Sequence, residues 1–174
     1  MEGEQGTSVT QSSEGGYAVR MNVGVVGTGR FGRLWAETLA SHHTVLTYNR
    51  SSRPVPRGCR SGSLAEVASC EAVFLCVAIS SMKSVVAELA RLVGPETLVM
   101  DTCSVKVYPT QVMAELLPES VQIIGTHPMF GPDSAQGGVA GLPLVFCPVR
   151  CDDETAETWR SEFARMELRL ISMT

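Results

Sequence analysis

An α/β fold built on a doubly wound, mainly parallel sheet with helices on both faces is the class this sequence predicts, and three observations predict it. Short apolar or β-branched runs alternate with amphipathic stretches from Met21 onward. The runs are continuously apolar, as strands covered on both faces are, where half-exposed strands would alternate apolar and polar. The first run also passes directly into a GxGxxG, from Gly27 to Gly32.

The elements follow in order. Residues 1–20, MEGEQGTSVTQSSEGGYAVR, hold almost nothing to bury and read as a disordered tail; three glutamates and one arginine argue against an organelle transit peptide. Met21 opens the fold with MNVGVV (21–26), and RFGRLWAETLAS supplies the first helix. TVLTY (44–48) is a strand, SLAEVASC a helix, AVFLCV (72–77) a strand and SMKSVVAELARLV a helix. TLVMD (97–101), the helix VYPTQVMAELL, VQIIG (121–125) and PLVFC (143–147) continue the rhythm. DDETAETWRSEFARM is a last helix opened by Asp152 as a cap, and RLISM a final strand. With 174 residues, 44% hydrophobic, and no repeat or interdomain linker, residues 21–174 are expected to form one domain.

Bulk properties exclude several partners. A formal charge of -4 gives no broad attraction to nucleic acid or an anionic membrane surface, and no apolar run reaches the roughly 20 residues of a membrane span. Six cysteines lie scattered without a CxxC pair, which suits reduced thiols in a cytosolic protein. Of three histidines, His42 and His43 are adjacent, so no metal-ligand spacing exists and no metal is expected. What remains is a small-molecule partner.

The glycine run says which kind. Between strand and helix, Gly27 allows the tight turn, Thr28 and Gly29 lie where a pyrophosphate approaches the backbone, and Arg30, Phe31 and Gly32 open a helix packed closely on the strand. This is the fingerprint of a Rossmann-like dinucleotide site. At the end of the second strand, where an NAD site usually places a carboxylate on the ribose, the chain has Asn49, Arg50, Ser51, Ser52 and Arg53. A carboxylate would repel a 2′-phosphate, whereas arginine and hydroxyl groups bind one, so the expected cofactor is NADP.

Chemistry is expected outside the carboxyl ends of the strands. Val77, Ala78 and Ile79 follow the strand at 72–77, Ser104 and Lys106 follow the strand at 97–101, and Thr126-His127-Pro128 follow the strand at 121–125. His127, in a loop braced by Pro128 and Pro132, is the candidate base for a substrate hydroxyl, with Ser104 orienting the imidazole or binding the same oxygen. His42 and His43, between the first helix and second strand, are expected to be solvated turn residues.

VGTGRFGRLWAETL, DTCSVK and above all GTHPMFGPDSAQGGVAGLPLVF resemble the prephenate and arogenate dehydrogenases of tyrosine biosynthesis. The Asn-Arg-Ser-Ser loop and the His-Pro-Met-Phe-Gly-Pro run are most similar to the NADP-using plant-type arogenate dehydrogenases. The resemblance implies an oxidative decarboxylation of arogenate or prephenate. Hydride leaves the ring carbon that bears the hydroxyl, carbon dioxide departs, and the ring becomes aromatic. His127 would withdraw the hydroxyl proton, with Ser104 as its partner on substrate and imidazole. Gly27, Gly29, Arg30 and Phe31 would line the pyrophosphate, Arg50 and Ser51 the 2′-phosphate, and Val77, Ala78 and Ile79 the nicotinamide half. Lys106 and the loop from Gly131 to Gly138 would border the substrate. Family members also carry an all-helical domain that makes the dimer and supplies an arginine for the substrate carboxylate. The 174 residues hold no counterpart of it, so the resemblance covers the nucleotide-binding domain, with a homodimer or a partner subunit as its assembly. The alternatives are a non-catalytic or partner-dependent NADP-binding module and a small NADP-dependent reductase, which would leave His127 without a role.

Overall fold

Strand β1 (Asn22–Val26) lies in the middle of the sheet, and Val23, Val25 and Val26 are buried on its two faces. The computed structural model describes residues 20–173, so the tail expected at 1–20 lies outside the described residues except for Arg20. After β1 come α1 (Arg30–Ala40), β2 (Thr44–Tyr48), the two-residue β3 (Arg60–Ser61), α2 (Leu64–Ala68) and β4 (Ala72–Leu75). A short 3-10 turn leads into α3 (Met82–Leu89), followed by β5 (Leu98–Asp101), α4 (Val107–Leu116) and β6 (Gln122–Pro128). β7 (Pro143–Arg150), α5 (Asp153–Arg165) and β8 (Arg169–Ser172) are the last of the described elements.

The sheet order is β3-β2-β1-β4-β5-β6-β7-β8. All neighbours run parallel except β6 and β7. This is the expected Rossmann-like class. The order in which strands are added reverses between β1 and β4, and a crevice at such a switch point is where ligands bind in doubly wound sheets.

Alternate strand residues feed two cores. On one face Val25, Phe74, Met100 and Ile124 meet Trp35 and Leu39 of α1 and Trp159 and Phe163 of α5. On the other, Val26, Leu75, Val99 and Ile123 meet Val67, Val86 and Met113 from α2, α3 and α4. Each such side chain contributes about 1.5–3 kcal/mol when fully buried, which is why continuous apolar runs, with no polar alternation, specify these strands. Local signals close the elements. Ser63 accepts from Glu66 N–H while Glu66 reaches back to the Ser63 N–H, and Asp152 accepts from Thr155 N–H at 2.7 Å as expected of a cap.

Three expectations need correction. β6 does not stop at Gly125 but runs on through His127 and Pro128, paired antiparallel with β7. No helix separates the two strands, and an antiparallel partner needs none, whereas a parallel crossover would. β4 ends at Leu75 and α3 at Leu89, so Val77 and residues 90–93 lie beyond their elements. His43 is not solvated: it is 1% exposed, packed 5.9 Å from the Trp159 ring. Glu162 Oε2 lies 3.3 Å from its Nε2 without a hydrogen-bonding alignment. Burial lowers the His43 pKa and outweighs the opposing pull of Glu162, so the imidazole sits neutral beneath α5.

Candidate active site

Two glycines of the loop are required by its own packing and one is not. Gly27 has φ 94, and a Cβ there would stand 2.5 Å from the Cys76 carbonyl oxygen. A Cβ on Gly32 would stand 1.9 Å from the Gly27 oxygen, so this glycine sets how closely α1 approaches the loop. Gly29 is different, with an ordinary φ of -64 and no atom within 4 Å of its would-be Cβ. Nothing in the chain requires glycine there. It caps α1, whose first turn has no acidic side chain and no side-chain cap, so the free N–H groups and the positive end of the helix dipole face open space. That cradle fits a pyrophosphate.

Around it, Thr28 is buried and Phe31 stacks on Trp35 at 5.9 Å, half-buried against the core. Arg30 points outward and forms an ion pair with both carboxylate oxygens of Asp133 at 3.1 Å, joining the glycine loop to the Gly131–Gly138 loop.

A cleft of ≈ 260 Å³ opens beside the loop. Of the expected cofactor residues, Gly27, Gly29, Asn49, Arg50, Ser51, Val77 and Ala78 line it. Thr28 and Ser52 line an adjoining cavity of ≈ 120 Å³, which shares Asn49, Ser51 and Arg53 with the cleft. Ile79 stands outside both, 43% exposed at the start of the 3-10 turn.

Asn49 organises this end of the cleft. Its Oδ1 accepts from Thr28 N–H at 3.0 Å, and its Nδ2 donates to the Ser51 carbonyl at 2.8 Å and to Ser51 Oγ at 3.0 Å. An aspartate could make the first bond but neither of the others. Arg53, which sequence reading placed in the loop without assigning it a role, lines both cavities; its place in the same Arg/Ser loop was the available signal.

His127 projects from the carboxyl end of β6, half-buried. Beneath it lies a group that sequence reading left unassigned, the fully buried carboxylate of Asp101 at the end of β5. Asp101 Oδ2 accepts from Cys103 N–H at 2.9 Å and from the Lys106 ammonium at 2.5 Å. Lys106 donates again to the Thr126 carbonyl, and the Thr126 hydroxyl donates to the Asp101 carbonyl at 2.6 Å. Lys106 is thus turned under β6, with one of its three ammonium protons left over. Ser104 stands exposed on the loop after β5 and takes no part in this ring of bonds.

Burial lowers the His127 pKa below its ordinary value of 6.5, and the nearby Lys106 charge lowers it further, while Asp101 works the other way. The imidazole is therefore neutral and ready to accept a proton at neutral pH. Asp101 is pushed up by burial, against the pull of Lys106. Among the described residues no cluster of histidine, cysteine or carboxylate groups is arranged to hold a metal ion, and no helix is long and apolar enough to cross a membrane.

Comparison with known proteins fits this geometry. A family model described as "Prephenate dehydrogenase, nucleotide-binding domain" matches residues 51–164. Arogenate dehydrogenase 1, chloroplastic, of Arabidopsis thaliana is 34% identical over 170 residues, covering 89% of the chain and 26% of that protein. Arogenate dehydrogenase 2, chloroplastic, of the same plant is 32% identical over 150 residues, 82% of the chain and 42% of that protein. The chain thus spans less than half the length of these relatives. In fold it is similar to Synechocystis arogenate dehydrogenase, with a TM-score of 0.76 at 22% identity over 88% of the chain and 60% of that structure. Prephenate dehydrogenase from A. aeolicus, in complex with hydroxyphenyl propionate and NAD+, has a TM-score of 0.72 at 17% identity over 91% of the chain and 61% of that structure.

Proposed function

The chain belongs to the prephenate dehydrogenase family, as its nucleotide-binding domain, and from that premise we propose that it binds NADP and acts in the oxidative decarboxylation of arogenate or prephenate. Support comes from one arrangement. A neutral imidazole, His127, stands at the same carboxyl edge of the sheet as an open glycine cradle whose neighbouring loop carries arginine and serine where a carboxylate would favour NAD.

The residues fit that cofactor. The α1 N-terminus from Gly27 to Gly32 would take the pyrophosphate, with Arg30 released from Asp133 to face it. Asn49, Arg50, Ser51, Ser52 and Arg53 would hold the 2′-phosphate, and Val77, Ala78 and Ile79 would border the nicotinamide. When bound, the nicotinamide supplies a hydride acceptor. His127 takes the proton of the substrate's ring hydroxyl, Ser104 hydrogen-bonds the same oxygen, and the remaining Lys106 proton faces a substrate carboxylate. A homodimer or a partner subunit that completes the substrate site belongs to the same reading. The cytosol is the proposed place of action, a compartment that keeps the six free cysteines reduced.

The test pairs arogenate and prephenate with NADP and NAD and follows reduced-cofactor absorbance. Arogenate or prephenate with NADP is expected to give the fastest rise; silence in all four combinations, from protein shown to bind NADP, would sink the reading. Cofactor choice is checked separately by titrating Arg50→Ala. Loss of one charge-assisted contact should weaken NADP by about tenfold at low salt and leave NAD nearly unchanged. Equal losses for both would remove the role given to the loop.

A further inference from the structure

We propose that Asp101, which has no place in the cofactor cleft, is the positioning residue for His127, fixing through Lys106 and Thr126 the end of β6 from which the imidazole projects. The proposal rests on the reading above, because it concerns the same imidazole. Three observations support it.

Asp101 is buried, and one of its oxygens, Oδ1, has no hydrogen-bond partner. A buried charge pair adds little net stability over an apolar pair of the same shape, so stabilising the sheet does not explain this one. Its location does. The parallel ladder between β5 and β6 ends at the pair Asp101 and Gly125. Beyond that point no residue of β6 has a register partner on β5, and the side-chain bonds among Asp101, Lys106 and Thr126 take over at Thr126, one residue before His127.

The sequence makes room for this device. A Cβ at Gly125 would stand 3.3 Å from Lys106 Cδ, 3.5 Å from Asp101 Oδ1 and 3.1 Å from Thr110 Cγ2. The lysine stem therefore crosses β6 over a position kept bare of a side chain. The groups that face Asp101 are Lys106 and the thiols of Cys103 and Cys76, pushed up by burial to about 11 and about 12 and so uncharged. Lys106 and Asp101 are also the charges that act on His127. One ring of bonds thus sets both the backbone position and the electrostatic surroundings of the imidazole.

The full chain has three histidines, so ring C–H signals in a heteronuclear NMR titration are few, and the one that disappears in His127→Asn is His127. Asp101→Asn removes the negative charge but leaves Lys106, so the His127 midpoint should move to lower pH than in the native protein. The plateau of turnover above that limb should fall by about tenfold to a hundredfold, as when an orienting partner is lost, with NADP affinity unchanged. Asp101→Asn/Lys106→Gln removes both charges and should move the midpoint above the native one; this neutral pair carries the test if the single variant fails to fold. An unmoved His127 midpoint in either variant, or an intact turnover plateau with only lowered stability, overturns the proposal. Because the titration needs no substrate, a chain silent in every assay but with the midpoints displaced as stated would refute the dehydrogenase reading and leave the coupling of Asp101 to His127 standing.

Discussion

His127→Asn is expected to lower turnover by about a hundredfold to ten-thousandfold, the contribution of a positioned general base. Asparagine keeps a hydrogen-bonding group at the end of β6 but cannot accept the proton that must leave the substrate hydroxyl. Because His127 does not line the cleft that holds most of the expected cofactor contacts, the NADP dissociation constant should stay within about twofold of the native value. Single-turnover reduction of NADP and quenching of protein fluorescence by the cofactor measure the two quantities separately. The pH profile adds a sign. In the proposed role the working form is the neutral imidazole, and burial lowers its pKa, so the acid limb of kcat/KM should lie below the ordinary histidine range. Turnover within about threefold of native would mean that another group takes the proton.

Gly32→Ala carries the largest expected structural cost. Helix propensity alone favours alanine by about 1 kcal/mol in the first turns of α1. Against that, the added carbon would stand 1.9 Å from the Gly27 oxygen and 2.9 Å from Cys76 Cβ, and a backbone oxygen cannot rotate away. Relief requires α1 to lift from the sheet, which disturbs Trp35, Ala36 and Leu39, all fully buried. The clash should win, with a net loss of at least about 3 kcal/mol in urea unfolding and loss of NADP binding. Gly29→Ala is the control, since its would-be Cβ meets nothing. It should fold as well as the native chain and yet bind NADP weakly, because the space it fills is the ligand's. A native urea midpoint in Gly32→Ala would refute the account of how α1 is seated.

Much of this was legible in the residues, and what was not has physical reasons. Continuous apolar runs located the long strands because each is covered on both faces, and the GxGxxG was readable because its context fixed a strand before it and a helix after it. β3 is two residues long, too short for any period to register. Gly125 looked like the end of a strand because glycine usually breaks one; here it stays in β6 to let a lysine pass. The direction of β7 was present in the sequence as the lack of a helical stretch between Pro128 and Pro143. His43 misled because adjacent histidines look solvated, and only the approach of α5, more than a hundred residues later, buries it. Asp101 gave no sign of its place, since an aspartate closing a strand reads as the first residue of a turn.

The reversal between β6 and β7 has a mechanical meaning. Up to Gly125 the strand is in register with a neighbour on both flanks and Thr126 is still tied to Asp101; His127 and Pro128 then project past β5, paired with Val145 and Leu144 of β7. The imidazole is carried on a projecting end held at its root by the bonds of Asp101, Lys106 and Thr126 and along one flank by β7, which is in turn paired with β8 at the rim of the sheet. A softened contact at Val145, the residue paired with His127, would therefore reach the imidazole through the backbone without touching the cleft.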